Sequence, residues 1–482
     1  MGEEGSDVTD PVKETERTAD AAVEELEDSS EDLTSVIEQN LVEALDEGDS
    51  DRALELIEPL HFADVADILE RLGGEDRDAL VEVLRDDFHP DILAELDEEV
   101  RDSVIETLGI EDTAAVLAEM DSDDAVQVLE ELDEDEQQEL LQAIPVGDRA
   151  LIQEGLAYPE DSAGRMMQRE VVTVPTFWSV GQAIDYMRET AELEDHEDIL
   201  PEVFYDIYVV DPARRPVGTI SLARLMRTRR PVPVTEIMEP DMRLIPAEMD
   251  QEEVAFLFRQ RDLVSAAVTD ADGRLVGSIT IDDVVDVIHE EHEEDIMRLG
   301  GVAEDDLYAA AVDTTRSRFT WLLVNLGTAV LASLVIGLFE ATIEQIVALA
   351  VLMPIVASMG GNAGTQTLTV AVRALATKEL TATNAMRVIG KELLVGGING
   401  VMFAVLTGAV AWFWFGSPAI GLVIGLAMVV NMVVAGLAGS TVPIVLERAG
   451  IDPAIASSVV LTTVTDVAGF FVFLGLAAMI LL

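Results

Sequence analysis

The chain of 482 residues contains no cysteine. Disulfide staples and thiolate metal sites are therefore excluded. Lysine is almost missing too. Lys13, Lys378 and Lys391 are the only three, and Lys and Arg together number 29 against 94 Asp and Glu. The formal net charge of −65 argues against nucleic acid as a partner, because phosphate binding needs clustered cationic side chains. A hydrophobic leader is also lacking. The start, MGEEGSDVTD, is acidic, so no cleavable signal peptide is expected, and its formal myristoylation pattern is read as chance. The last third of the chain is poor in acids. After Arg318 only Glu340, Glu344, Glu379, Glu392, Glu447, Asp452 and Asp466 occur. Most of the acid excess before that point is read as salt adaptation, since in molar salt the Debye length is only ~3 Å and like-charge repulsion is tolerable. A minority is read as cation ligands.

What is present falls into zones. Residues 1–30 are polar and acid-rich and are expected to form a disordered acidic tail. Over 31–160 apolar residues recur at helical spacing, as in ADVADILERL and DDAVQVLEELDEDEQQELLQAI, separated by acidic breaks. That pattern predicts an all-α helical-repeat superhelix. Between 161 and 290 the pattern changes. RRPVGTISLARL (214–225) and GRLVGSITIDDV (273–284) are near copies, with Gly218 and Gly277 in the same place. Each follows a β-rich stretch and precedes a helical one. The duplication resembles a tandem pair of CBS domains, an α+β regulatory fold, with the first over 161–227 and the second over 228–290. A connecting helix is expected over 291–317, with a break at Gly300-Gly301.

From 318 to 482 five apolar spans follow, at about 319–339, 346–372, 391–414, 419–445 and 454–482. Each is long enough to cross ~30 Å of hydrocarbon. The loop carrying Arg373, Lys378, Arg387 and Lys391 is basic, whereas 340–345 carries two Glu and 415–418 no charge. The positive-inside rule then predicts a multi-pass plasma-membrane protein with its acidic N-terminal part in the cytoplasm and its C-terminus outside.

The last span contains Ser458, Thr462 and Asp466 at four-residue steps, on one helix face. An ionisable side chain at that depth is a functional-site hypothesis by default. The competing reading is an Asp held by neighbouring helices, with the hydroxyls bonded to their own backbone. The second span contains PIVASMGGNAGTQTLTV (354–370), in which Pro354, Gly360, Gly361 and Gly364 are expected to interrupt the helix and free carbonyls beside Asn362 and Gln366. Asn431, Ala435 and Gly439 of the fourth span, and GGING of the third, are read as close-packing seams. With neither His nor Cys, and with what is read as a single carboxylate, the membrane part offers oxygen ligands. Those suit Mg²⁺, Ca²⁺ or Mn²⁺ rather than zinc or copper. A sparse ring around a hydrated ion fits Mg²⁺, which gives up water reluctantly.

The order of zones, together with MGGNAGTQ (359–366), VRALATKEL (372–380) and DPAIASSVVLTTVTDVAGF (452–470), resembles the MgtE family of magnesium channels. The resemblance covers nearly the whole chain. It implies a homodimeric Mg²⁺-selective channel or transporter in the lipid membrane, with Asp466 at the selectivity site and Asn362, Gly361, Ser458 and Thr462 lining the pore. Ser458 stands where the family can carry an asparagine. The resemblance also implies closure by cytosolic Mg²⁺. By motif position the regulatory ligands are Asp250, Glu252, Asp262, Asp283, Asp286, Glu291, Glu294 and Asp295, with Asp121 and Asp124 as weaker matches. Thr280 and Asp283 fit a nucleotide-ribose pattern in the second CBS copy, so ATP enters as a possible regulator. His289 and His292 are read as exposed neighbours. The alternatives are a carrier of Co²⁺ or Mn²⁺ and a membrane-anchored sensor without transport. An enzyme is disfavoured, because Asp466 is read as having no second acid at depth.

Overall fold

A computed structural model describes residues 36–191, 200–201, 203–302 and 311–482. The expected acidic tail, the start of the first zone and part of the connecting segment lie outside the described residues. The chain divides into two compact units, Met1–Val285 and Asp286–Leu482.

The first unit begins with an all-helical array. Helix α1 runs over 36–47. Then come α2 (Ser50–Ile57), α3 (Phe62–Arg71), α4 (Gly74–Leu84), α5 (Pro90–Glu95), α6 (Glu98–Leu108), α7 (Ile110–Glu119), α8 (Ser122–Glu130), α9 (Glu134–Ala143) and α10 (Val146–Leu156). The starts of α3 and α4, and of α6 to α10, fall twelve residues apart, so each unit of the repeat is one short helix and its turn. A helix that short leaves its last carbonyls without partners. Here a side chain from the following helix supplies them. Arg77 Nε donates to Leu69 O at 2.9 Å and Arg101 Nε to Leu93 O at 3.0 Å, while Gln137 Nε2 donates to Leu129 O at 2.7 Å. Each donor stands eight residues after its acceptor. The apolar faces meet in one core that includes Leu41, Leu69, Leu93, Leu117, Leu129 and Leu140.

Two small sheets follow. The first has the order β1 (Thr173–Pro175), β2 (Asp206–Val210), β3 (Pro216–Ser221), and α11 (Val180–Ala191) lies between its first two strands in sequence. After α12 (Leu222–Arg227) and α13 (Val234–Ile237), the second repeats it with β4 (Leu244–Pro246), α14 (Gln251–Arg261), β5 (Ser265–Thr269) and β6 (Leu275–Thr280). The first pair of each sheet is parallel and the second antiparallel. Gly218 faces Val209 in one sheet as Gly277 faces Val268 in the other. Both glycines let another stretch of backbone approach. A Cβ on Gly218 would lie 3.0 Å from Glu239 O, and one on Gly277 2.7 Å from Gln168 O. Those segments complete the sheets: Thr219 pairs with Glu239, and Ser278 with Gln168, from the chain ahead of the first module. The two modules therefore interlock. Tyr208 of the first reaches Ser278 Oγ of the second at 2.7 Å. Burial pushes its phenol up to about 12, so it acts as a neutral hydrogen-bonding group.

Helix α15 (Ile281–Gly300) grows directly out of the second sheet, so the connecting helix starts earlier than expected. It ends at Gly300. Gly301 takes φ +70°, and Val302 N bonds back to Met297 O at 3.0 Å, a left-handed C-terminal cap.

The second unit holds α16 (Ala311–Gly337), the short α17 (Glu340–Gln345), α18 (Ala348–Ala376), α19 (Ala385–Phe415), α20 (Pro418–Arg448) and α21 (Pro453–Ile480). Among the described residues five helices are long and apolar enough to span a bilayer. Helix α20 is the hub and packs on α18, α19 and α21, while α16 rests on α21. Trp412, Phe413, Trp414 and Phe415 cluster at the end of α19, the composition of an interfacial aromatic belt.

Candidate functional site

The second span is not interrupted. Helix α18 runs through Pro354, Gly360, Gly361 and Gly364 without a break. This corrects the expectation of freed carbonyls. The physical reason is that the glycines make room for neighbours. A Cβ on Gly360 would overlap the Asn431 amide, and one on Gly364 would lie 2.9 Å from Leu461 Cδ1. Asn431 is 1 % exposed and donates Nδ2 to Val356 O at 2.8 Å, bonding α20 to α18. Gly469 of α21 closes on the same amide from the other side, with its built Cβ 2.9 Å from Nδ2. The packing seams foreseen around Asn431 and in GGING are present: Gly396 and Gly400 face the α20 backbone at Met432 and Val429.

Helix α18 turns a polar stripe outward. Asn362, Thr365, Gln366 and Thr369 are exposed, and Asn362 Nδ2 is 3.4 Å from Ser358 Oγ. Helix α21 does the same with Thr462, exposed, and Ser458 and Asp466, half-buried. Asp466 stands thirteen residues into α21, about 20 Å along it at 1.5 Å per residue. Among the described residues no hydrogen bond or ion pair engages its carboxylate. The hydroxyls do bond their own backbone: Thr462 Oγ1 donates to Ser458 O at 3.0 Å and Thr463 Oγ1 to Val459 O at 2.6 Å. That spends each hydroxyl's single proton and leaves the oxygen an acceptor, the polarity a cation or its water shell requires.

A second carboxylate lies within a span, which corrects the single-acid reading. Glu392, in the third turn of α19, is 12 % exposed at its side chain, accepts from Thr367 Oγ1 of α18 at 3.2 Å and lies 3.4 Å from Lys391 Nζ.

The acids expected to be regulatory ligands fall in two places. In the first unit Asp283 Oδ2 accepts from Thr280 N at 3.0 Å and Thr280 Oγ1 at 2.9 Å, so the ribose-type pair holds itself in a closed turn. Asp250 caps α14 by accepting from Glu252 N at 3.0 Å, and Asp262 ends it in the left-handed region at φ 53°. Asp121 and Asp124 flank the start of α8, docked against the stretch before β1 by Ser122 Oγ, 2.7 Å from Glu170 Oε2. Between them stands Asp123, which sequence reading passed over. Its residue keeps partial exposure while Oδ1 is sealed and unpartnered. Burial, then the charges of Asp283, Asp124 and Asp121, push its carboxyl well above the usual range. The start of α8 and the start of α15 thus face each other with like charge.

In the second unit Asp286, Glu291, Glu294 and Asp295 lie along α15. Asp295 is raised by burial first and by Asp452 second. Arg298 pairs with Glu294 and, at 2.7 Å, with Asp452. His289 and His292 are exposed, with His289 Nε2 3.4 Å from Glu293. Among the described residues no three His, Asp or Glu side chains converge as a metal cluster.

Comparison with known proteins gives three family matches. The MgtE profile, described as a divalent cation transporter, matches residues 353–476. The MgtE intracellular N domain matches 60–161 and the CBS domain 163–230 and 234–290. The magnesium transporter MgtE of Thermus thermophilus is 36% identical over 337 residues, 69% of this chain and 73% of that one. That of Bacillus subtilis is 30% identical over 338 residues, 70% and 73% respectively. A crystal structure of the cytosolic domain of the Mg²⁺ channel MgtE in complex with ATP aligns with 52% of this chain and 99% of that one, at 32% identity and a TM-score of 0.48.

Proposed function

The chain belongs to the MgtE family, and from that premise we propose that it conducts Mg²⁺ across the plasma membrane and is closed by cytosolic Mg²⁺. The observation that carries the proposal is the pair of uncovered polar stripes on α18 and α21. In hydrocarbon each unsatisfied polar group costs several kcal/mol. Asn362, Thr365, Thr462 and Asp466 therefore need water or a second copy of the chain against them. A two-fold dimer supplies both, with the stripes lining a wet path on its axis. In that path Asp466 attracts the cation, while Ser458, Thr462 and Asn362 contact its hydration shell and Gly361 leaves room for it. Mg²⁺ fits because it exchanges water reluctantly and is bound through few direct ligands.

Charge supports an orientation. Arg316, Arg318, Arg373, Lys378, Arg387, Lys391 and Arg448 all belong to one end of the helices, and Glu340 and Glu344 to the other. The basic end faces the cytoplasm with the acidic unit, which leaves the C-terminus outside. Gating follows from like-charge repulsion. Asp121, Asp123 and Asp124 against Asp283 spread the cytosolic elements, and a divalent ion among them favours the compact state by binding it more tightly. Asp250, Glu252, Asp262, Asp286, Glu291, Glu294 and Asp295 are proposed to act likewise. ATP at Thr280 and Asp283 is a subordinate proposal, supported by the turn these residues form. The proposed role is transport rather than catalysis.

The test is ion flux into liposomes with Mg²⁺, Ca²⁺, Mn²⁺ and Co²⁺ compared. Wild type is expected to prefer Mg²⁺, and Asp466→Asn to lose at least tenfold. Unchanged flux in the variant would favour a tethered sensor, and a preference for Co²⁺ or Mn²⁺ another cargo.

A further inference from the structure

Asp452 uses its two oxygens in two directions. Oδ1 accepts from Ala454 N at 2.7 Å and caps α21, the helix that carries Asp466. Oδ2 takes Arg298 Nη1 at 2.7 Å, from the last turn of α15. The same guanidinium pairs with Glu294 one turn back. One residue further, Leu299 packs against a buried cluster of Leu368, Val372, Ala438, Ala454 and Leu461, drawn from α18, α20 and α21. Gly301 then lies against the Trp321 indole, so close that a Cβ there would overlap it. The end of α15 is thus held by one ion pair to the start of α21, one apolar contact with α18, α20 and α21, and one glycine fit against α16.

We propose that Arg298 is a tethered counter-cation, a positioning residue that clasps the end of the linking helix to the capping carboxylate of the last span and so sets how much Mg²⁺ closure requires. This rests on the gating reading above and deepens it. A guanidinium is always charged and cannot diffuse away. It neutralises Asp452 and Glu294 before any divalent ion arrives, so the seated state begins partly paid for in charge. With it removed, closure must recruit that neutralisation from solution, and a higher Mg²⁺ concentration is needed.

The experiment titrates internal Mg²⁺ against flux of the full chain in liposomes. Arg298→Gln is expected to raise the half-inhibiting concentration roughly three- to tenfold, the range for a partly exposed charge-assisted pair. Arg298→Lys, which keeps the charge, is expected within about twofold of wild type. Asp452→Asn retains a capping side chain and is expected to match Arg298→Gln, with the double variant shifting no further. A second readout does not depend on gating: backbone hydrogen exchange over 294–301 in chelator, expected to be several-fold faster in Arg298→Gln and restored in Arg298→Lys. An unshifted titration with unchanged exchange overturns the clasp, as do additive shifts. Faster exchange in the variant of a channel that internal Mg²⁺ never inhibits supports the clasp and removes the gating reading.

Discussion

Replacing Gly360 by alanine places one methyl group where three helices meet. The new Cβ would overlap Asn431 Nδ2 and stand 2.9 Å from Cγ and 3.0 Å from Oδ1, whereas comfortable carbon contacts begin near ~3.5 Å. The amide has little room to yield. Its Nδ2 is bound to Val356 O, and Gly469 closes the opposite side. Either α18 shifts by about an ångström or more, or Asn431 leaves its partner. Overpacking of this kind costs about 1–3 kcal/mol, and an interhelical hydrogen bond in a membrane adds ~0.6–1.7 kcal/mol if lost. A loss of ~2–4 kcal/mol is therefore expected in thermal unfolding of the detergent-solubilised protein. Flux should fall as well, because α18 carries Asn362 and α21 carries Asp466. Asn431→Ala in the same chain removes the obstructing amide, so the double variant should lie well above the sum of the singles, with a coupling on the order of 1–3 kcal/mol. Wild-type stability in Gly360→Ala, or plain additivity with Asn431→Ala, would refute this account of the seam.

Three other outcomes follow from the site. Neutralising Glu291, Glu294 and Asp295 together is expected to leave flux running at high internal Mg²⁺, read by the same liposome titration; intact inhibition would remove the acid-cluster account. Asp123 has a raised carboxyl, so its native state holds the proton more tightly than the unfolded chain does. Its contribution to stability is full below the ordinary carboxylate value and is lost as pH rises through its own higher value. In chelator Asp123→Asn should therefore be more stable than wild type at neutral pH, by about 1 kcal/mol, and should flatten the melting-versus-pH curve between acid and neutral; divalent ion should narrow the gap. Glu392→Gln keeps an acceptor for Thr367 and should retain flux, while Glu392→Ala should cost about 1–2 kcal/mol in unfolding; loss of flux in the Gln variant would move Glu392 into the ion path.

The zones were legible because their signals are long. Five apolar runs and a duplicated α/β pattern survive any local ambiguity, and Gly301 ends α15 because only a left-handed residue closes that turn. What escaped depended on partners far along the chain. Gly360 looked like a helix breaker, and it is the neighbour of Asn431, 71 residues on, that makes it a packing glycine inside an intact helix. Glu392 falls within the third apolar run but was not weighed as a buried acid, since the hydrogen bond that places it comes from Thr367 on another helix. Asp123 was overlooked between two better matches. The twelve-residue period of the first array was masked because its acidic surface positions vary, while the donors that mark it, Arg77, Arg101 and Gln137, differ in type.

The exchange of edges between the two sheets bears on how force travels through the molecule. Because Gln168, ahead of the first module, borders β6, and Glu239, ahead of the second, borders β3, neither half can tilt without dragging the other's margin along. A push on the first module should thus be shared with the second, from whose last strand α15 grows, and trimming the chain back past Gln168 would bare a strand in the remote half rather than the near one.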